Sequence, residues 1–384
     1  MNTVARLVIV LGLLAAVTAH LRAQDAGQPD QSPRAPETWK QIAFAFQPPS
    51  TLAEDLGQYR SPLVFDDGRS VKTPEDWRCR RQEILKFWHA SLGAWPPLID
   101  KPAIETVETS QREDFIQKKV RIEAAEKLKL EGYLLMREGD GPHPAVLVVY
   151  YEPETGIGLG KSKLRDFAYQ LARRGFVTLS IGWPTDYTKQ QSSARQPLSS
   201  LAYVAANCYN ALATLPEVDP ARVGVVGHSF GGKWALFASC LYEKFACGVW
   251  CDPGIVFDEK RPNVNYWEPW YLGWESHRER KPGVPSESNP RTGPYEQLFE
   301  AGHDLHDLHA LMAPRPFLVS GGAEDPLERW KALNHSIAVN RLLGRENRVA
   351  MTNRPAHPPT EESNEQIYLF FEHFLKPADH PEER

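Results

Sequence analysis

The sequence has no concentration of like charge. Its 44 Lys and Arg stand against 49 Asp and Glu, a net charge of −5. The basic residues are scattered, which excludes the basic stripe of a nucleic-acid binder. There is no low-complexity tract and no internal repeat, which excludes solenoid architectures. The apolar run 7–19 near the N-terminus is shorter than the ~20 residues that span a bilayer, so no stable membrane anchor is expected. Cysteine is scarce. Cys79, Cys208, Cys240, Cys247 and Cys251 are an odd set, so one stays unpaired unless a partner chain supplies a thiol. None has zinc-site spacing. His303, His306 and His309 recur every third residue, which spreads them around a helix surface rather than onto one metal. No metal and no organic cofactor is expected.

The first residues carry an export pattern. Arg6 precedes the apolar stretch, and Leu21-Arg22-Ala23 offers a small residue before a cut near Gln24. Residues 1–23 therefore read as a signal peptide, and the protein as secreted or periplasmic. Residues 24–75, rich in Pro, Gln, Ser and Asp, read as a linker or loosely packed N-terminal arm. Residues 76–376 form the main domain, and 377–384 a C-terminal tail.

Within the domain, 76–92 has helical spacing, with Thr73 before Pro74 as a helix start. Segments 115–122 and 128–135 read as an antiparallel pair. Segments 145–150, 176–181, 223–226, 248–251, 317–319 and 349–351 read as further strands. Helices fall at 164–173, 199–215, 232–241 and 365–375. The alternation implies a mostly parallel central sheet with helices on both faces, an α/β class whose ligands bind at the carboxyl ends of the strands. Residues 253–303 break it as an insertion or lid after the sixth strand, holding Tyr266, Trp267, Trp270, Tyr271 and Trp274.

Gly227-His228-Ser229-Phe230-Gly231 matches G-x-S-x-G. A strand precedes it and a helix follows it, the context of a nucleophile elbow. Ser229 is the candidate nucleophile. Its hydroxyl needs a base, and His357, between the last strand and the final helix, is the candidate. His228 is expected to point away from the site, and His335 and His373 to pack or lie at the surface. The acid that orients His357 is Asp325, with Glu324 and Asp252 as alternatives. An oxyanion hole needs two donors: the N–H of Phe230, and that of Tyr151 or Glu152. Trp267 and Trp270 offer faces on which a sugar ring could stack, or else pack the insertion.

These residues resemble the α/β-hydrolase superfamily, and more narrowly secreted bacterial acetyl xylan esterases and glucuronoyl esterases. Dienelactone hydrolases and prolyl oligopeptidases are more distant relatives. The resemblance runs from about Trp77 to Leu375 and includes the approach Val218-Asp219 and Arg222-Val223 to the elbow. Lys233 matches a lysine found four residues after the nucleophile in glucuronoyl esterases, which implies a substrate-binding role. Phe230 stands where those enzymes place an arginine. The resemblance implies a secreted serine hydrolase that cleaves small-molecule or polysaccharide esters through a Ser-His-Asp triad and an acyl-enzyme. A prolyl oligopeptidase-like peptidase and a non-catalytic carbohydrate-binding relative are the alternatives.

Overall fold

The protein is described from a computed structural model covering residues 36–139, 141–262, 266–278 and 280–376. The expected signal peptide and C-terminal tail lie outside the described residues. Among the described residues nine strands form one sheet: β1 (Ile104–Arg112), β2 (Phe115–Ala125), β3 (Leu128–Met136), β4 (His143–Val149), β5 (Val177–Ile181), β6 (Val218–His228), β7 (Cys247–Cys251), β8 (Phe317–Gly321) and β9 (Val349–Asn353). Their order is β1-β2-β3-β5-β4-β6-β7-β8-β9. The β1–β2, β2–β3 and β3–β5 pairs are antiparallel. All pairs from β5 through β4 to β9 are parallel.

The parallel strands are apolar runs because both of their faces are covered. Along β4 successive side chains point to opposite faces. Ala145, Leu147 and Val149 join one core, with the helices Pro74–Leu92, Pro197–Leu212, Phe230–Leu241 and Trp330–Leu342. Val146 and Val148 join the other, under Phe167–Arg173 and Glu361–Leu375. The first long helix starts where its sequence demands. Thr73 Oγ1 accepts the N–H of Asp76, and Asp76 accepts the N–H of Thr73, a reciprocal cap.

Three expectations change. Strand β1 was not foreseen, because its polar run IETVETSQR is exposed at the sheet edge and lacks an apolar face. The insertion consequently follows the seventh strand, not the sixth. The expected loose arm is packed from Glu37 onward. Helix Pro36–Ile42 and the turn Ala43–Phe46 bury Ile42, Ala45 and Phe46, with the Phe46 ring 6.4 Å from Phe370 and 5.9 Å from Phe374. Farther on, the Asn334 side chain donates to the carbonyls of Leu52 and Asp55, and His335 and His306 bond those of Leu56 and Arg60. We call residues 37–72 the strap. Its buried apolar residues, Ile42, Ala45, Phe46, Phe65 and Val71, are too few and too widely spread to sustain a helical or strand period, so a Pro-rich background hid them.

The histidine triplet is buried, not spread over a surface. His303 bonds Asp307 (2.7 Å), and His306 and His309 are fully enclosed. Among the described residues, no His, Cys, Asp or Glu group is placed to hold a metal ion, no disulfide forms, and no helix is long and apolar enough to cross a membrane.

Asp304 closes the insertion by accepting the N–H groups of Phe257 (2.9 Å) and Leu305 (2.5 Å). Loss of solvent pushes its carboxyl up to about 8. The folded chain thus holds a proton that the unfolded chain releases near pH 4. This contribution to stability is complete below pH 4 and declines as the pH climbs to 8. D304N keeps the acceptor oxygen and removes the titration. Denaturant melts should show the variant losing less stability between pH 4 and 8, and exceeding the wild type at pH 8 by about 1 kcal/mol or more.

Candidate active site

The strand register brings the site together. His228 of β6 lies beside Cys251 of β7, Cys251 beside Ser320 of β8, and Gly321 of β8 beside Asn353 of β9. Ser229, Asp252 and the loop carrying His357 therefore leave the sheet at one end. Backbone bonds fix each departure: Ser229 N–H to Cys251 O (2.8 Å), Asp252 N–H to Ser320 O (3.0 Å) and Arg354 N–H to Gly321 O (3.1 Å).

Ser229 has φ 57° and ψ −114°, a conformation that only a tightly held turn imposes on a serine. The flanking glycines permit it. A Cβ on Gly227 would come within 2.2 Å of Gly231 O, and one on Gly231 within 2.2 Å of Val149 O. Phe230 is the first residue of the helix Phe230–Leu241, so its N–H has no acceptor within the helix. The strand β4 runs directly into Tyr151 and Glu152. The ring of Tyr151 stacks on Phe230 at 4.6 Å and 14°, which sets this backbone over the elbow.

His357 Nδ1 meets Asp252 Oδ2 at 2.6 Å. The other oxygen of Asp252 accepts three backbone N–H groups, from Gly322 (2.6 Å), Glu324 (3.1 Å) and Asp325 (2.9 Å). A carboxylate so clamped has one free direction, toward the imidazole. Nδ1 then carries the proton and Nε2 the lone pair. Gly322 is needed at this contact, because a Cβ there would stand 2.7 Å from Asp252 Oδ2 and 2.5 Å from Ala356 O.

Asp325, the first choice for the acid, is not brought to His357. Its oxygens accept the N–H groups of Gly254 (2.7 Å) and Ile255 (2.6 Å), with Arg329 at 3.6 Å. It ties the start of the insertion to the β8 loop. Glu324 pairs instead with Arg261 at 2.9 Å. Lys233 is also displaced from its implied role. It is 2% exposed, donates to Pro253 O and lies over the rings of Tyr266 and Tyr271. Burial pulls its ammonium down, against the nearby carboxylates of Asp325, Glu324 and Asp252, and burial pushes Asp325 up.

The insertion divides its aromatic residues. Trp267 is fully buried and packs near Tyr295, so it offers no sugar platform. Trp270 is 43% exposed, 5.6 Å from Trp183, which itself lies 5.3 Å from Phe230. Tyr151, Trp183 and Trp270 thus continue one aromatic wall outward from the elbow, and a cavity of about 500 Å³ adjoins Trp270 and Tyr271.

Sequence reasoning missed two groups. His228 does not point away: its ring is 4.6 Å from that of His357. Arg354, buried three residues before His357, donates to Ser320 O, Gly321 O, His357 O and Pro358 O. Its position in the histidine loop was the only available signal.

The sheet order, with Ser229, Asp252 and His357 placed at strand ends, is that of the α/β-hydrolase fold. Residues 103–253 match the family model described as Esterase FrsA-like. The chain is similar to a 4-O-methyl-glucuronoyl methylesterase of Schizophyllum commune, with 28% identity over 193 residues, 48% of this chain and 47% of that protein. It is also similar to the Esterase FrsA of Vibrio cholerae, with 34% identity over 130 residues, 33% of this chain and 28% of that protein. The chain thus spans less than half the length of either curated relative. Among solved structures, a glucuronoyl esterase from Solibacter usitatus superposes with a TM-score of 0.63 at 19% identity, over 83% of this chain and 98% of that one. The shared feature at that identity is the fold.

Proposed function

We propose that this chain is a serine hydrolase of carboxylic esters, with Ser229 as nucleophile, His357 as base and Asp252 as the acid. The observation that carries the reading is the 2.6 Å contact of His357 Nδ1 with the clamped Asp252, at the end of the sheet where Ser229 is held at φ 57° in its elbow. In this mechanism Ser229 Oγ attacks the ester carbonyl while its proton passes to His357 Nε2. The N–H of Phe230 and one from Tyr151 or Glu152 receive the developing oxyanion. The imidazolium returns its proton to the leaving alkoxide, and an acyl-serine remains. Water then attacks with His357 again as base, which releases the acid and restores Ser229.

The substrate reading is a carbohydrate-linked ester. The aromatic wall suits sugar rings, and the relatives' names concern glucuronate esters. Phe230 cannot bond an oxyanion with its side chain, so backbone donors carry that charge alone. Residues 1–23 support a secreted or periplasmic location.

The test is a fluorophosphonate probe followed by a substrate panel. The expected result is stoichiometric labelling, mapped by mass spectrometry to Ser229, and turnover of an acetylated xylan or a methyl glucuronate ester above a prolyl peptide. An unlabelled, inert protein would move the reading to a carbohydrate-binding role.

A further inference from the structure

We infer that His228 and Arg354 are positioning residues for the base, and that Arg165 sets the tautomer of His228. The inference rests on the triad reading above. It starts from one atom, the carbonyl oxygen of His357, which receives two donors. Arg354 Nη2 reaches it at 2.7 Å and His228 Nε2 at 3.0 Å.

The proton on His228 follows from its other neighbour. Arg165 Nε lies 3.1 Å from His228 Nδ1. A guanidinium nitrogen can only donate, so Nδ1 must be the acceptor. The single proton of the neutral ring then sits on Nε2, where it donates to His357 O. Burial holds His228 in that neutral form, well below the usual histidine range, and the charges of Arg165 and Arg354 act in the same direction. Arg165 therefore fixes, through His228, a donor aimed at the backbone of the base.

Arg354 holds the same loop from beneath. Arg354 is 6% exposed, and its guanidinium has no carboxylate within ion-pair distance among the described residues. Its charge is taken up by carbonyls of two segments: Ser320 and Gly321 at the end of β8, His357 and Pro358 in the loop. The β8 end leads directly into Gly322 and Glu324, whose N–H groups clamp Asp252. Base and acid are thus referred to one buried cation. A displacement near 1 Å at a reacting centre can cost about 10²-fold in rate, so the network needs no contact with substrate to govern turnover.

The test compares H228L, H228Q and R165M with the wild type, all as the full chain. H228L deletes the donor, H228Q restores an N–H of similar reach, and R165M frees the tautomer. Expected are a fall in kcat of about 10- to 100-fold for H228L with KM unchanged, recovery of most of it in H228Q, and an intermediate loss in R165M. The fluorophosphonate labelling rate should fall in parallel while thermal unfolding stays cooperative. The proposal is overturned if H228L labels and turns over like the wild type, if its loss lies in KM, or if H228Q is no better than H228L. An unlabelled wild type would overturn the triad reading and this one with it. A normal wild type beside an unaffected H228L would overturn this one alone.

Discussion

Replacing Ser229 by alanine is expected to lower kcat by roughly 10⁵- to 10⁶-fold while leaving KM and thermal unfolding close to the wild type. The side chain is small, and its backbone is held by the bond to Cys251 O and by close-packed glycines on either side, so removal of the hydroxyl has nothing to collapse. In the proposed mechanism the triad acts as a unit. Once Ser229 is gone, His357 has no proton to take, so the double variant S229A/H357A should be no slower than S229A. Residual turnover would report the backbone donors at Phe230 and Tyr151–Glu152 acting on a bound ester. Single-turnover assays with an activated ester measure both variants against the wild type. A double variant slower by a further two orders of magnitude would mean that His357 works independently of Ser229.

The second large effect separates two aspartates. D252N should cost about 10⁴-fold in kcat. The amide must present its NH₂ either to His357 Nδ1, which then becomes the acceptor and leaves Nε2 protonated and unable to act as base, or to the three N–H groups of Gly322, Glu324 and Asp325. D325N meets different neighbours. Its amide faces the N–H groups of Gly254 and Ile255 with one acceptor too few, so the loss appears in stability, about 1–3 kcal/mol, and less than tenfold in kcat. Parallel kinetics and denaturant melts of the two variants decide the matter. The reverse pattern, with D325N inactive and D252N merely unstable, would return the acid role to Asp325.

Those two residues also mark where the sequence stopped being informative. Both follow the carboxyl end of a parallel strand, and both are followed by turn-forming residues. The difference lies in which backbone N–H groups turn back to each carboxylate, a property of loop shape that no spacing encodes. Ser229 was legible because its geometry needs glycines on both sides and a strand–helix junction, and all of these are written locally. The pairing of 115–122 with 128–135 was legible for the same reason, and the β2–β3 register contains it. Trp267 and Trp270 were inseparable in the sequence. Three residues apart, one is sealed in the insertion and the other faces outward, and tertiary packing alone decides which. The network around His357 O was the least legible part, because its donors, the His228 ring and the Arg354 guanidinium, meet at a backbone carbonyl that no side-chain pattern marks.

The strap has a consequence for how the molecule is completed. Its helix lies against Glu361–Leu375, and its later carbonyls are read by Asn334 and His335. Every one of these partners is synthesised long after the strap itself has left the ribosome. The strap's helix therefore waits, with Phe46 uncovered, until Glu361–Leu375 has been made, and its docking is a contact of large sequence separation. It acts as a seam that closes late, so a chaperone or protease meeting the nascent chain would find a handle in the strap's helix and lose it only once Glu361–Leu375 has docked.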